Sequence, residues 1–423
     1  MEKKIKILTI SDLPLSPSGV ANQTRNMIEG LLKTGKYQFV SLGGAIKHRD
    51  YKPIKTEEWG EDWVMYPVDG YGNANIVRDF LRNFKPDVLW FMTDPRFWGW
   101  LWAIDNEIRK NVNMVYYTIW DHYPPPYYNK PFYDSNDCLV TISRLTDDVI
   151  SKVSPDVRRV RIPHAIDTET FKKLPEEEVT KFKKQSFQQS NRELDENKFI
   201  LFWNNRNARR KMSGTLIFWF KEFLDKVGHD KATFIMHTDP KDPNGQDLKA
   251  IVDYLGLTDG QVLFSTEKIP GQALAMVYNM ADCVVNIANA EGFGLGTAEA
   301  LACETPILVN MTGGLQEQVT DGEKWFGLGL HPVATPVIGS QDIPYIYEEY
   351  VSKEDFLDAL EMLYNSSKEE RAEMGRLGRE HVLKNFNIKK YIKQWDELFN
   401  KLIEENGSWE TRKNYQSWKV EEV

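Results

Sequence analysis

Cysteine is scarce: three among 423 residues, Cys138, Cys283 and Cys303, each inside an apolar run and none in a Cys-x-x-Cys pair. That excludes a disulfide framework and a zinc cage, and buried free thiols in a reducing cytoplasm are the expectation. A surplus of positive charge is also missing. The net charge is −9 and the isoelectric point about 5.5, with 22 Lys and Arg against 21 Asp and Glu through residue 167 and the acidity beyond it. Neither half carries the basic face of a general duplex binder, although Arg158, Arg159 and Arg161 cluster locally. Long hydrophobic runs are absent too. Ile5 to Ile10 is interrupted by Lys6 and is too short for a signal-peptide core or a membrane span. Internal repeats and low-complexity tracts are absent. The length exceeds one ordinary core and suits two domains of about 200 residues each.

Short Val/Ile/Leu/Phe runs alternate with helix-period segments, the pattern of an α/β chain with parallel strands. In the first half strands are expected near Lys4–Ile10, Phe39–Leu42, Val88–Met92, Asn113–Ile119 and Cys138–Ile142. In the second half they are expected near Phe199–Trp203, Thr233–Met236, Val262–Phe264, Cys283–Ile287 and Ile307–Asn310. Linking helices are expected over Thr215–Val227, Asp247–Leu255, Gln272–Asn279 and Thr297–Cys303. Sheets of this kind bind ligands at the carboxyl ends of their strands.

The most informative segment is Glu291-Gly-Phe-Gly-Leu-Gly-Thr-Ala-Glu299, between the strand-like run from Cys283 and a helix-like run to Cys303. A glycine-rich turn from strand to helix presents free backbone N–H groups and the positive end of a helix dipole, which hold phosphate. A carboxylate inside the helix, Glu299, can accept ribose hydroxyl hydrogen bonds, while Glu291 in the loop reaches a second part of the ligand. The pattern reads as a nucleotide-sugar site, and a surface loop with two acids is the bland alternative.

At these residues the chain resembles the retaining GT-B glycosyltransferases, in particular glycosyltransferase family 4. The resemblance implies a GT-B fold, two doubly wound Rossmann-like domains facing across a cleft. The expected domains are 1–170, an N-terminal acceptor-side domain; 171–386, a nucleotide-sugar-binding domain; and 387–423, a crossover helix and tail returning to the N-terminal domain. Lys173–Asn197 is read as a polar connection, and Asn406–Val423 as a tail or docking strap.

Further segments follow the family order. After the Phe199 strand, Arg206 and Lys211 have the spacing of the family's diphosphate-binding pair. Fixed cations there stabilise the negative charge that develops on the leaving phosphate, most of all in the transition state. In isolation such a run would read as a solvated basic turn. Resemblance assigns Gly292, Phe293, Gly294, Leu295, Gly296 and Thr297 to the phosphate-binding turn, with base contacts from backbone near Lys268 and Ile269. In Arg161-Ile-Pro-His-Ala-Ile-Asp the family's usual Asn-Gly is replaced by His164-Ala165. His164 either donates to a phosphate or satisfies hinge backbone, while Asp167 and Phe171 are expected to fix the hinge. At the start, the Ser11–Gly19 turn precedes a helix over Val20–Leu32, and Gly19 is placed facing the donor phosphates.

Two aromatic clusters mark the first half. Phe97-Trp-Gly-Trp-Leu-Trp has helical spacing and is read as core. Tyr123-Pro-Pro-Pro-Tyr-Tyr is a stiff loop after a strand, so Tyr123, Tyr127 and Tyr128 are candidates for lining the acceptor site. Family members place a His, commonly followed by Asp, against the donor sugar. Here Trp120 occupies the His position, Asp121 matches the Asp, and His122 follows; either of the last two can fill the role. Asp94, ending another strand, reads as a turn cap.

The resemblance therefore implies a retaining, metal-independent transfer from a UDP- or GDP-sugar to a saccharide or glycoconjugate hydroxyl, without a further cofactor. No Asp-x-Asp metal motif occurs. Three other readings stay open: transfer to a modified base in DNA, with nucleic acid as acceptor; a nucleotide-sugar epimerase or phosphorylase; and a catalytically silent binding module.

Overall fold

The structure is a computed structural model that describes residues 3–189 and 198–418. The chain divides into two compact units: residues 1–165 with 339–346 and 388–423, and residues 166–338 with 347–387.

The first unit is built on an eight-stranded sheet. Its strands are β1 (Ile5–Asp12), β2 (Tyr37–Gly44), β3 (Ile54–Lys55), β4 (Trp63–Pro67), β5 (Val88–Met92), β6 (Asn113–Thr118), β7 (Cys138–Thr141) and β8 (Arg159–Arg161), in the order β3-β4-β2-β1-β5-β6-β7-β8. All neighbours are parallel except β3 against β4. Every residue of β5 and β6 is buried, as expected of central parallel strands covered on both faces. One face is filled by aromatics: Trp98 and Trp102 of the first aromatic cluster are core, buried against Phe91 and Tyr116, whereas Phe97 at its start is 47% exposed because it lies in the turn before the helix. β3, β4 and β8 have no counterpart among the expected strands. They sit toward the sheet edges, and β8 reads Arg-Val-Arg, which gives a half-exposed strand no apolar signature.

Helix Ile388–Asn406 covers the other face. Its buried stripe Tyr391, Trp395, Leu398, Phe399 and Leu402 recurs at helical spacing. Trp395 packs edge-on against Trp90 and Tyr117, with ring centroids 5.9 and 5.1 Å apart. Gly30 of helix Gly19–Leu32 lets this helix approach, since a Cβ there would lie 2.3 Å from Ile392. The stretch 406–418 is fastened by polar contacts instead. Arg412, 4% exposed at its side chain, lies 2.8 Å from Asp137 and donates to the Asn113 side chain and the Arg109 carbonyl at 3.0 and 2.9 Å. The Tyr415 ring stacks beneath Arg109. Residues 419–423 of the expected tail lie outside the described residues.

The second unit carries β9 (Phe199–Asn204), β10 (Ala232–His237), β11 (Val262–Ser265), β12 (Cys283–Asn286), β13 (Ile307–Asn310) and β14 (Gly327–Leu330), all parallel, in the order β11-β10-β9-β12-β13-β14. Chain direction across the sheet reverses between β9 and β12. This is the doubly wound order with its switch point at those two strands, where a crevice opens beyond the strand ends. β14 has no expected counterpart because glycine dilutes Gly-Leu-Gly-Leu; Gly327 packs so close to β13 that a Cβ would lie 2.0 Å from the Ile307 carbonyl. In the Lys173–Asn197 connection, Glu176–Gln189 is helical, and 190–197 lie outside the described residues. Among the described residues no helix is long and apolar enough to cross a membrane.

Trp395→Ala removes the largest side chain of the helix that covers the first sheet. It is expected to destabilise that unit by about 3–5 kcal/mol, the range for truncating a buried tryptophan, read as a lowered midpoint in urea unfolding. An unchanged midpoint would show that this helix is not part of the unit's core.

Candidate functional site

The switch point gathers the polar side chains of the second unit. β9 ends at Asn204, and the chain passes through a loop and the short 3₁₀ turn Arg209–Lys211 before helix Ser213–Val227. β12 ends at Asn286, and its loop leads into helix Leu295–Ala302. The two loops are tied by backbone: Asn289 N–H donates to the Arg210 carbonyl at 2.9 Å, and Arg210 returns a guanidinium hydrogen bond to the Ala290 carbonyl. Beside this seam the Lys211 ammonium meets the Glu291 carboxylate, with side chains 8% and 11% exposed. Asn286 Nδ2 also donates to Glu291, at 3.3 Å. Burial pushes the Glu291 carboxyl up, but Lys211 and Arg210 outweigh it and hold the group below its ordinary value.

Gly294 precedes the helix with φ +89°, and no side chain caps it. The structure starts this helix at Leu295, so Leu295, Gly296 and Thr297 form its first turn, not a loop. Their N–H groups lie at the positive end of the helix, the geometry an anion requires. A second loop braces the turn: Gly314 N–H donates to the Glu291 carbonyl at 2.9 Å, and Gln318 Nε2 donates to the Phe293 carbonyl at 2.6 Å. Gly313, with φ +50°, has no room for a side chain, since a Cβ would lie 1.9 Å from that Glu291 carbonyl. Phe293 is buried; Gly292 is partly exposed.

Glu299 lies inside the same helix and is buried. Its Oε2 accepts a hydrogen bond from the Tyr278 hydroxyl at 2.8 Å, and Tyr278 in turn accepts from Asn204 Nδ2 at 2.8 Å. Burial pushes the Glu299 carboxyl up to about 7, against the opposing pull of the Tyr278 hydrogen bond.

Arg206 is not brought to the Lys211–Glu291 pair. Its guanidinium, 64% exposed, is held by Asp242 at 2.6 and 3.2 Å. Lys268 is exposed and Ile269 half-buried, in the loop between β11 and helix Gly271–Met280.

In the first unit, Gly19 is the exposed first residue of helix Gly19–Leu32, capped by the Ser18 hydroxyl, which donates to Asp12; Tyr71 also donates to Asp12, at 2.9 Å. His164 is buried, its Nδ1 2.8 Å from the Tyr117 hydroxyl, and burial lowers its pKa to about 3, so the ring is neutral. Asp121 and His122 pair with each other at 3.1 Å, and Trp120 is buried with its indole N–H on the His122 carbonyl. Tyr123 donates to Asp148. Tyr127 is 57% exposed, and the Tyr128 hydroxyl donates to the Tyr345 carbonyl at 3.0 Å. Asp94 caps its turn by accepting from the Arg96 N–H at 2.9 Å. In the second unit, Asp167 folds a local turn with Thr170.

Sequence reasoning missed Tyr278, Asn204, Arg210, Asn286 and Asp12. Asn204 and Asn286 carried a usable signal, each being the polar residue that ends an apolar strand run. Tyr278 carried none, because its partner lies on a different helix.

The raised pKa of Glu299 has a consequence for stability. An unfolded Glu loses its proton near its ordinary value, while the folded one holds it to about 7. Across that interval the folded state therefore binds more protons, and stability falls as pH rises. Glu299→Gln abolishes this slope, so the Tm of the variant relative to the parent is expected to climb between about pH 5 and pH 8. A constant difference would show that burial does not tune this carboxyl.

Comparison with known proteins bears on the same residues. The family described as Glycosyl transferases group 1 matches residues 183–381, which include both switch-point loops. A D-inositol 3-phosphate glycosyltransferase of Paenarthrobacter aurescens is 31% identical over 136 residues, 32% of this chain and 28% of that protein. The match thus spans under a third of the relative's length. Among solved structures, a sucrose-phosphate synthase from Thermosynechococcus elongatus superposes with a TM-score of 0.74 at 17% identity, covering 95% of this chain and 100% of that one. HepE of Anabaena, solved in complex with UDP and glucose, superposes with a TM-score of 0.67 at 14% identity, over 94% of this chain and 100% of that one. The fold of this chain is thus that of the GT-B enzymes, with two parallel-sheet Rossmann-like domains, and residues 183–381 are similar to the glycosyl transferases of group 1.

Proposed function

We propose that this protein is a retaining, metal-independent glycosyltransferase that moves a sugar from a UDP- or GDP-sugar to a hydroxyl of a saccharide or glycoconjugate. The observation that carries the reading is the switch-point constellation: a buried Lys211–Glu291 pair beside an uncapped, glycine-led helix N-terminus, with Glu299 in the same helix. The helix N–H groups and Lys211 bind the diphosphate, and Arg206, mostly open to solvent, supplies a second cation on leaving Asp242. Glu291 orients the donor sugar and Glu299 the ribose. The loop at Lys268 and Ile269 receives the base. Lys211 and Arg206 together do the electrostatic work that a metal ion does elsewhere.

In the transfer, the acceptor oxygen bonds to the anomeric carbon on the face the diphosphate leaves. The carbon–phosphate oxygen bond breaks with its electron pair going to the phosphate, and that phosphate takes the acceptor proton. By the resemblance, Asp121 and His122 are assigned to the donor sugar, Tyr123, Tyr127 and Tyr128 to the acceptor, and Gly19 to the phosphates. His164, buried, neutral and paired with Tyr117, is read as structural and not as a phosphate ligand. The HepE complex with UDP and glucose supports a UDP-sugar donor, and the name of the Paenarthrobacter relative supports an acceptor rich in hydroxyls. The acidic balance argues against a nucleic-acid acceptor. Three buried free thiols suit the cytoplasm.

Thermal stabilisation by UDP against GDP identifies the base. Lys211→Ala is expected to lower kcat by about 10²–10³-fold, the scale for removing one group that stabilises a developing anion, and Arg206→Ala to weaken donor binding. Tyr254→Ala, far out in solvent at 80% exposure, serves as the unaffected control. Full transfer activity in Lys211→Ala would overturn the assignment. Proton NMR of the first product is expected to show the donor's anomeric configuration kept, and EDTA is expected to leave turnover unchanged.

A further inference from the structure

Glu299 is held on one side only. Oε2 accepts from Tyr278, whereas Oε1 accepts no hydrogen bond among the described residues. The hydroxyl of Tyr278 has a single proton. Because Asn204 Nδ2 donates to that oxygen, the proton is directed at Glu299, and the chain Asn204 to Tyr278 to Glu299 runs one way. The ring itself cannot turn. It is fully buried, edge-on to Phe202 and Phe171 with centroids 5.3 and 6.0 Å apart, and Thr305 donates to its backbone carbonyl at 2.7 Å. Gly296 keeps the space between them open, since a Cβ there would approach the Asn204 carbonyl to 3.1 Å and the Tyr278 hydroxyl to 3.3 Å.

We propose that Tyr278, oriented by Asn204, is a positioning residue that fixes one oxygen of Glu299 so that the other is presented to the ribose hydroxyls of the donor. This rests on the ribose role proposed for Glu299. A carboxylate among buried neighbours would otherwise rotate freely or stay protonated; burial alone drives the group up, and the Tyr278 hydrogen bond is what opposes that. Three elements converge here: β9 sends Asn204, helix Gly271–Met280 sends Tyr278, and helix Leu295–Ala302 sends Glu299.

The test compares affinities for UDP and 2′,3′-dideoxy-UDP, and for the guanine pair if GDP is the nucleotide that binds, by titration calorimetry on the full chain. At pH 8, where Glu299 is ionised, the parent is expected to lose about tenfold or more on removal of the hydroxyls, the worth of hydrogen bonds to a charged acceptor. In Tyr278→Phe that ratio is expected to fall to about twofold at nearly unchanged dideoxy affinity. Asn204→Ala, which keeps the tyrosine, is expected to move it in the same direction. It stands in should the Phe variant misfold. A parent ratio that survives intact in both variants would overturn the positioning role and leave Glu299 on the ribose. A parent that binds both nucleotides equally would overturn the ribose role and, with it, this proposal.

Discussion

An ammonium and a carboxylate withdrawn from water together set the terms for the carboxyl edge of the second sheet. Removing either charge from solvent costs of the order of several kcal/mol, and their mutual attraction offsets this only when geometry and supporting hydrogen bonds are good. Lys211 and Glu291 meet those conditions through Asn286 and through the backbone seam that joins Arg210 to Asn289 and Ala290. The pair pins the loop after β9 to the loop after β12, the two strands at which the order of strand addition reverses. Placement of the Gly294 turn and of the helix that follows depends on that junction.

Two glutamates from one short segment are tuned in opposite senses by their surroundings. Glu291 stands beside two cations and stays ionised in spite of burial. Glu299 meets only a neutral tyrosine hydroxyl and rises to about 7. Desolvation acts on both; what differs is whether a positive charge lies within reach. A division of labour between them needs no difference in residue type.

The first unit follows another logic. Its sheet is packed with tryptophan and tyrosine on one face and closed on the other by helix Ile388–Asn406, and its last described stretch is held by the buried Arg412–Asp137 pair. The candidate residues of this unit sit at the ends of such rigid elements: Gly19 at a capped helix start, Asp121 and His122 after β6. His164 is drawn into the interior by Tyr117, where an imidazole carries no charge.

Local pattern by itself determined a good deal. Runs such as Phe199-Ile-Leu-Phe-Trp and Val88-Leu-Trp-Phe-Met announce central strands because strands buried on both faces are continuously apolar, and the glycine-led turn before Glu299 announces a helix start. The resemblance carried by Glu291, Glu299, Arg206 and Lys211 named the fold. Edge strands escaped notice, since β8 is two arginines around a valine and β14 is half glycine. Partnerships were invisible as well. Arg206 and Lys211 read as equivalent cations in one basic turn, yet one is buried against Glu291 and the other lies in solvent against Asp242. Tyr278 could not be connected with Glu299 at all. Periodicity records how a residue relates to its neighbours along the chain, whereas burial and pairing depend on which distant strand ends the sheet order brings side by side, and only the tertiary structure decided that.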